Sequence, residues 1–537
     1  MRKVALYFHT LKYLKFKQIY YRLFYLLYKK TPSKKINNIS LRDYSLAKEN
    51  YFILKNKIYF ENTTATFLNK SVDISQKNSW NDLSQTDLWL YNLHYFDALH
   101  SFDANQRQIA YKLLERWVDE NPPYFGIGWK PFSASLRIIN IIKYALSGNL
   151  LSEKVICSLY LQARYLDKKC EYHLLGNHLF ENFKSLCVAG LFFDTKESRG
   201  WFSKGLRGLK KEIQEQVLWD GGHFELSPMY HCLFLEGLLD LHVIFKLYQK
   251  EFFWKSDVEK MLAWLNEMKR SDHKIAYFND AANHIAASPG ELFSYAKKLG
   301  YEIPPEKNGL SYFSNSGYIT VKNNYFKIIM DVGNIGPDYL PGHGHADALS
   351  FECYVDGIPL FVNLGTSCYE NNDRRLFERG TRAHNTVEIN QQDSSHVWSS
   401  FRVGKRARVK NINIVDDKNK FLIQASHDGY ARLKRNLHHK RIWEISENKI
   451  EIKDYLNNPV EQAYAYFHLH PDVNIVSRLS DSVIMQLKNN KKISFETKND
   501  FFVIDSQYAE LFGKLHNTQS IKIRINSNDN QFSILMK

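Results

Sequence analysis

The chain has 537 residues, 44% of them apolar, enough to bury sizeable cores in two or three domains. Lys and Arg outnumber Asp and Glu by 72 to 57, so at a net charge of +15 it attracts polyanions. The basic residues are dispersed and no recognised binding module accompanies them, which argues against nucleic acid as the partner. No run of 18 apolar residues marks a membrane span.

In chain order, residues 1–79 open with "MRKVALYFHTLKYLKFKQIYYRLFYLLYKK", a basic and aromatic stretch expected to be helical. Lys12, Lys15, Lys17 and Arg22 interrupt every apolar run before it reaches signal-peptide length. The expectation is therefore no cleavable signal and a cytoplasmic or inner-membrane-associated protein, with the periplasm left open. The helical stretch has two readings, packing on its own domain or peripheral contact with an anionic membrane face.

From about 80 to 304 the apolar residues recur at helical spacing, as in "RIINIIKYAL" and "CLFLEGLLDLHVIFKLY". Tyr91 and His94 in "LWLYNLHYFDAL", with Trp129, Arg137 and Asn140 in "GIGWKPFSASLRIINIIK", are candidates for walls that stack on sugars and bind carboxylates, or else core residues. In "GNHLFENFKSL" the residues His178, Glu181, Asn182 and Ser185 share one helical face, opposite Leu179, Phe180, Phe183 and Leu186. In "DGGHFELSPMYHCL" Asp220, His223, Glu225, Tyr230 and His231 are expected on a Gly- and Pro-punctuated loop that enters a helix.

Beyond Pro304 and Pro305 the pattern changes to period two, giving a β region over 305–537. Asp356-Gly357 between two alternating runs predicts a two-residue hairpin with Val355 opposite Ile358 and, by the same count, Ser350 opposite Asn363. That brings "GHGHADALSF" near Asn363, and His384 opens another run in "RGTRAHNTVEIN". Two imidazoles and an oxygen from separate strand ends suit a divalent metal such as zinc, or ordinary hydrogen-bonding histidines in a polar turn. The six cysteines are scattered without a CxxC pair and are expected to be free thiols.

Taken in order, "GNHLFEN", "DGGHFELSPMYH", "GHGHADALSF", "LFVNLGT" and "TRAHNTVEIN" resemble the heparinase II/III type of polysaccharide lyase, with alginate lyases as more distant relatives. The resemblance implies an α+β multidomain protein, an N-terminal α/α toroid of helical hairpins followed by a C-terminal antiparallel β-sandwich, with the active site between them. It makes Asn177 and His178 the pair that meets a uronate carboxylate, with Glu181 beside them, Tyr230 the catalytic tyrosine and His343 a residue of the cleft. His345 and His384 would be metal ligands, Asn363 standing where the family usually has an aspartate. No organic cofactor is implied.

The reaction so implied is β-elimination on an acidic polysaccharide, linked to capsule or exopolysaccharide metabolism. Donors stabilise the uronate carboxylate while C5 loses its proton and the 4-O-linked sugar leaves. Tyr230 serves in this scheme if neighbouring His343 or Arg side chains lower its pKa. Two rival readings are a glycoside hydrolase using Glu181 and Glu225 and a catalytically silent protein that holds acidic polysaccharide.

Overall fold

The structure is a computed structural model that describes residues 2–27, 31–36, 38–44, 51–417, 420–526 and 530–536. Helices α1 (Arg2–Leu11) and α2 (Phe16–Leu27) open the chain. Among the described residues, the helical expectation for 1–79 holds for this first part and for a 3-10 turn at Lys77–Asn81. A small antiparallel sheet with strands Phe60–Glu61, Thr64–Phe67 and Lys70–Asp73 follows. Thr and Phe in its middle strand suit a pleated surface, and Asn62 and Asn69, both at positive φ, turn the chain between strands.

The helical region runs through α3 (Asp87–Tyr95), α4 (Ala104–Glu120), α5 (Pro131–Leu146), α6 (Glu153–Lys169), α7 (Gly176–Phe192), α8 (Lys196–Gln216), α9 (Pro228–Leu247), α10 (Lys255–Met268) and α11 (Pro289–Lys298). Local chemistry sets its boundaries. Thr86 caps α3 by accepting from the Trp89 N–H, Ser227 caps α9 ahead of Pro228, and Ser288 and Glu291 form a capping box on α11. The helices enclose one large core that includes Trp89, Trp117, Phe180, Leu235 and Leu262.

After Gly309 the chain is almost wholly β. A five-stranded sheet leads, then an eight-stranded antiparallel sheet from Val409–Asp417 at one edge to Asn474–Arg478 at the other, and a four-stranded sheet that includes Phe501–Leu511 and Lys514–Arg524. Inward alternate residues such as Ile423, Trp443, Ile452, Phe467 and Phe532 form the second core. A third, smaller cluster of Leu226, Trp264, Phe278, Tyr318 and Tyr354 joins the two halves. Helices on one side and antiparallel sheets on the other are the toroid and the sandwich that the sequence implies. Among the described residues no helix is long and apolar enough to cross a membrane, and all six cysteines are free.

The hairpin forms, with Val355 opposite Ile358 and both turn residues, Asp356 (φ 48°) and Gly357 (φ 79°), in the left-handed region that such a turn requires. Its register departs from the simple count. A bulge puts Tyr354 opposite Pro359 but Cys353 opposite Phe361, which shifts the pairing by one residue and takes Asn363 off Ser350. The Asn363 N–H instead donates to the Glu352 carboxylate at 3.1 Å.

Candidate functional site

Four segments converge in a crevice between the halves. The first is the start of α7, where Leu175 (φ 67°) and Gly176 (φ 55°) turn the chain sharply. A Cβ on Gly176 would lie 2.4 Å from Leu340 and 2.9 Å from Glu225 Oε1, so glycine is required there. The turn aims the Asn177 main-chain N–H at the Glu225 carboxylate and sets His178 against Phe132, ring centres 4.4 Å apart. His178 Nδ1 lies 3.2 Å from Glu171 Oε2. Burial opposes a charge on His178, but Glu171, Glu225 and Glu181 outweigh it and hold the pKa above its ordinary value.

The second segment is the loop into α9, carrying Glu225, with Tyr230 on the first turn of that helix, and the third is the loop around Asp280. Asp280 is fully buried and takes donors from four residues. His343 Nδ1 and His345 Nε2 each lie 2.8 Å from it, Arg375 grips it with both terminal nitrogens, and the Thr366 hydroxyl is at 3.4 Å. The guanidinium and both imidazoles keep its carboxyl well below the usual range despite burial. An ionised carboxylate only accepts, so His343 must carry its proton on Nδ1. A neutral ring so held presents its Nε2 lone pair away from Asp280, with Nε2 3.7 Å from Glu225 Oε2.

Tyr230 stacks on His343 with ring centres 4.0 Å apart, and its hydroxyl lies 3.3 Å from that of Tyr369, over which Arg375 sits at 4.9 Å. The expected lowering of the Tyr230 pKa is corrected: burial, Glu225 and Asp280 raise it, and the Tyr369 hydrogen bond and Arg375 only partly compensate. At rest Tyr230 is a protonated phenol.

The fourth segment bears the expected metal set. His345 Nδ1 and His384 Nε2 face each other at 3.3 Å, and Asn363 Oδ1 lies 3.2 Å from the other nitrogen of His384. Only two nitrogens converge, His345 Nε2 is committed to Asp280, and the amide meets the far side of His384. Among the described residues no group of three or more His, Cys, Asp or Glu side chains could hold a metal ion. The three side chains expected as ligands therefore do not surround one point here.

The hydrogen-bond sense explains the arrangement. His345 donates through Nε2 to Asp280, so its Nδ1 accepts from His384 Nε2–H, a ring that also bonds the Glu378 carbonyl, and His384 Nδ1 then carries no proton. A charged His345 could reverse the chain, but burial pushes its pKa down to about 4 and that of His384 well below normal. A bare nitrogen needs a donor, and the Asn363 amide nitrogen is buried with no partner. Turning the amide over points that nitrogen at His384 and forgoes only a 3.4 Å contact from the Asn385 N–H.

Most expected sugar-binding residues are structural. Trp129 is buried and stacks with Trp117. Arg137 is wholly buried and donates to Gln162, to the His94 carbonyl and to the Gly128 carbonyl. His94 is held between the Trp80 carbonyl and the Trp117 indole N–H, and burial lowers its pKa to about 3. Asn140 donates to the Tyr95 carbonyl and Asp97. Glu181 is buried in an ion pair with Lys184 at 2.7 Å. Of this group Tyr91 alone is half-exposed, leading through Tyr95 and Phe132 toward His178. The helical face read as polar is enclosed as well: Asn182 bonds the Glu171 N–H and Ser185 the Ser135 carbonyl.

Asp280, Arg375, Tyr369 and Glu171 escaped the sequence reading. Asp280 sits in "FNDAANH", an irregular stretch between helices with a carboxylate and no helical period, and that was the available signal.

The model of the heparinase II/III N-terminus matches residues 10–299, and that of the heparinase II/III-like C-terminal region matches residues 305–535. Among curated proteins, a heparin-sulfate lyase of Pedobacter heparinus is 26% identical over 339 residues, 56% of this chain and 50% of that protein. One of Bacteroides stercoris is 28% identical over 249 residues, 41% of this chain and 37% of that protein. The chain thus aligns with half or less of the length of these relatives. Among solved structures, heparinase III aligns with a TM-score of 0.67 at 18% identity, covering 96% of this chain and 88% of that one. A heparan sulfate lyase from Pedobacter heparinus aligns at 0.58 and 17%, covering 97% and 87%. With family models covering nearly the whole of both halves, the chain belongs to the heparinase II/III family.

Proposed function

We propose that the protein is a polysaccharide lyase that cleaves a uronic-acid-containing acidic polysaccharide by β-elimination. The observation that carries this reading is the pairing of His343 and Tyr230: a base with its lone pair turned away from Asp280, stacked on a phenol that burial keeps protonated. His343 Nε2 takes the C5 proton, that bonding pair becomes the C4–C5 double bond, and the C4–O4 bond breaks. The Tyr230 hydroxyl supplies the proton to the leaving oxygen. The raised pKa of His178 favours an imidazolium, which with Asn177 at the start of α7 meets the substrate carboxylate.

The rival hydrolase needs two carboxyls facing a sugar. The side chains of Glu225 and Glu181 are only 2% and 6% exposed, and Glu181 is tied to Lys184. The relatives' names make heparan-type glycans the first substrates to try. A panel of acidic polysaccharides should yield products absorbing in the ultraviolet through a conjugated alkene, whereas new reducing ends without that absorbance would sink the lyase reading.

The sandwich wall, in this proposal, works without metal, as the one-way chain Asn363 → His384 → His345 → Asp280. The proposal also includes action beside glycan synthesis or export, with peripheral contact between the basic N-terminus and a membrane face.

A further inference from the structure

We infer that α1 and α2 form a strap across the two halves whose outer face seats the protein on an anionic phospholipid surface. The inner side is well bonded. On α1, Tyr7 meets Trp398 edge-on at 5.0 Å, and Thr10 donates to the Val403 carbonyl at 3.1 Å, both on the sandwich half. On α2, Tyr21 stacks on Tyr172 at 4.5 Å and the Tyr25 hydroxyl donates to the Cys170 carbonyl at 2.6 Å, both on the helical half. Between them Lys15 lies 3.8 Å over Tyr339, beside the Leu340 that abuts Gly176 in the crevice.

The outer side is bare. Phe8, Leu11, Phe16, Leu23, Leu26 and Leu27 are between 52% and 86% exposed. Such a cluster on a folded protein marks a surface that something covers. Phe16, Leu23 and Leu27 follow helical spacing, so the face is a stripe rather than scattered exposure.

Charge selects the occupant. The first acidic residue of the chain is Asp43, and eleven Lys or Arg residues precede it. Lys12, Lys17 and Arg22 are exposed within the strap itself. A second copy docking through a two-fold axis would press this basic patch against itself. An anionic bilayer accepts both features, apolar side chains at the acyl boundary and ammonium or guanidinium groups among the headgroups.

The test is vesicle flotation of the whole protein, and its result does not depend on the lyase reading. Vesicles of phosphatidylethanolamine and phosphatidylglycerol should carry the protein up the gradient, and those of phosphatidylcholine alone should not. Lys12→Ala with Arg22→Ala should weaken binding about 25-fold, roughly fivefold per charge. Phe8→Ser with Leu23→Ser should weaken it at least about tenfold, and the melting temperature should hold in both variants because all four side chains are exposed. Three results would overturn the inference: no flotation of the intact protein, flotation indifferent to both pairs of substitutions, or a dimer in sedimentation velocity that Phe8→Ser with Leu23→Ser dissolves.

Discussion

The same buried device occurs twice, once where the two halves meet and once inside the sandwich. Beside the crevice, Arg375 grips Asp280, which accepts from His345, which meets His384. Within the sandwich, Arg441 grips Asp454, which lies 2.7 Å from His439 Nε2, and His439 Nδ1 lies 3.2 Å from His427. The inner copy ends on a main-chain donor, the Gly429 N–H at 3.1 Å from His427 Nδ1. That donor fixes every proton in the row: His427 Nε2–H points to His439, and His439 Nε2–H to Asp454. The crevice copy needs the same sense and, among the described residues bonded to His384, the Asn363 amide is the group able to supply it. The comparison teaches that an Arg-Asp-His-His row is a way of bracing a sandwich. What sets the crevice copy apart is one extra bond, from His343 Nδ1 to Asp280.

The largest effects should come from breaking each row at its carboxylate. Asp280→Asn and Asp454→Asn each leave a buried guanidinium without its counter-charge, a loss of about 3–5 kcal/mol in unfolding free energy. Only Asp280→Asn should also lower turnover per folded molecule, since the amide no longer fixes the His343 proton on Nδ1. Denaturant titration beside activity measures both. Equal turnover loss in the two variants would erase the distinction between the copies.

Acid should weaken both rows. Burial lowers the His345 pKa from 6.5 to about 4 and lowers that of His439 as well. Between those pH values the unfolded chain binds a proton that the folded chain refuses, so stability is complete above pH 6.5 and lost as pH falls toward 4. For His345 the full loss is about 3 kcal/mol. Asp280, with its carboxyl depressed, adds a loss of the same sign at lower pH. Unfolding free energies measured across this window should rise with pH, and His345→Gln should flatten the slope by close to one proton. An unchanged slope would mean that His345 is charged in the fold.

Much of this was legible in the chain and some was not, for identifiable reasons. Helical and strand periods, the Asp356-Gly357 turn and the ordered motifs reveal the two halves because they are local. His178 and Tyr230 could be singled out because they stand in the first turns of helices that open at Gly176 and Pro228, and His343 because it stands in a Gly-punctuated turn. Asp280 and Arg375 are 95 residues apart and meet only through the fold, so no spacing announces them. Arg137 and His94 misled because a buried Arg with three acceptors looks, in sequence, like an exposed one waiting for a carboxylate. The bulge opposite Cys353 shifts Asn363 by one position without any sequence signal strong enough to count.

At the crevice itself, Tyr230→Phe keeps the ring stack and removes the proton donor, so turnover should fall at least about 100-fold with the melting temperature held. His343→Ala should do the same. His427→Ala, its counterpart-side control, should cost stability and leave turnover per folded molecule intact. A Tyr230→Phe enzyme that keeps its turnover would remove the phenol from the mechanism.

The smallest and most discriminating change is at the end of the crevice row. Asn363→Asp replaces a donor by an acceptor facing the bare His384 nitrogen, while in the inner row the donor is main chain and no exchange of side chains short of proline can remove it. Two acceptors face to face in a buried site should cost about 1–3 kcal/mol in metal-free buffer. A carboxylate there is also the better ligand for a divalent cation, so added zinc should raise the melting temperature of Asn363→Asp and leave that of the parent where it is. Chelator should be without effect on the parent. If the purified parent instead carries an equivalent of zinc, or melts earlier after chelation, the row is a metal site after all, and the likeness between the two copies ends at their histidines.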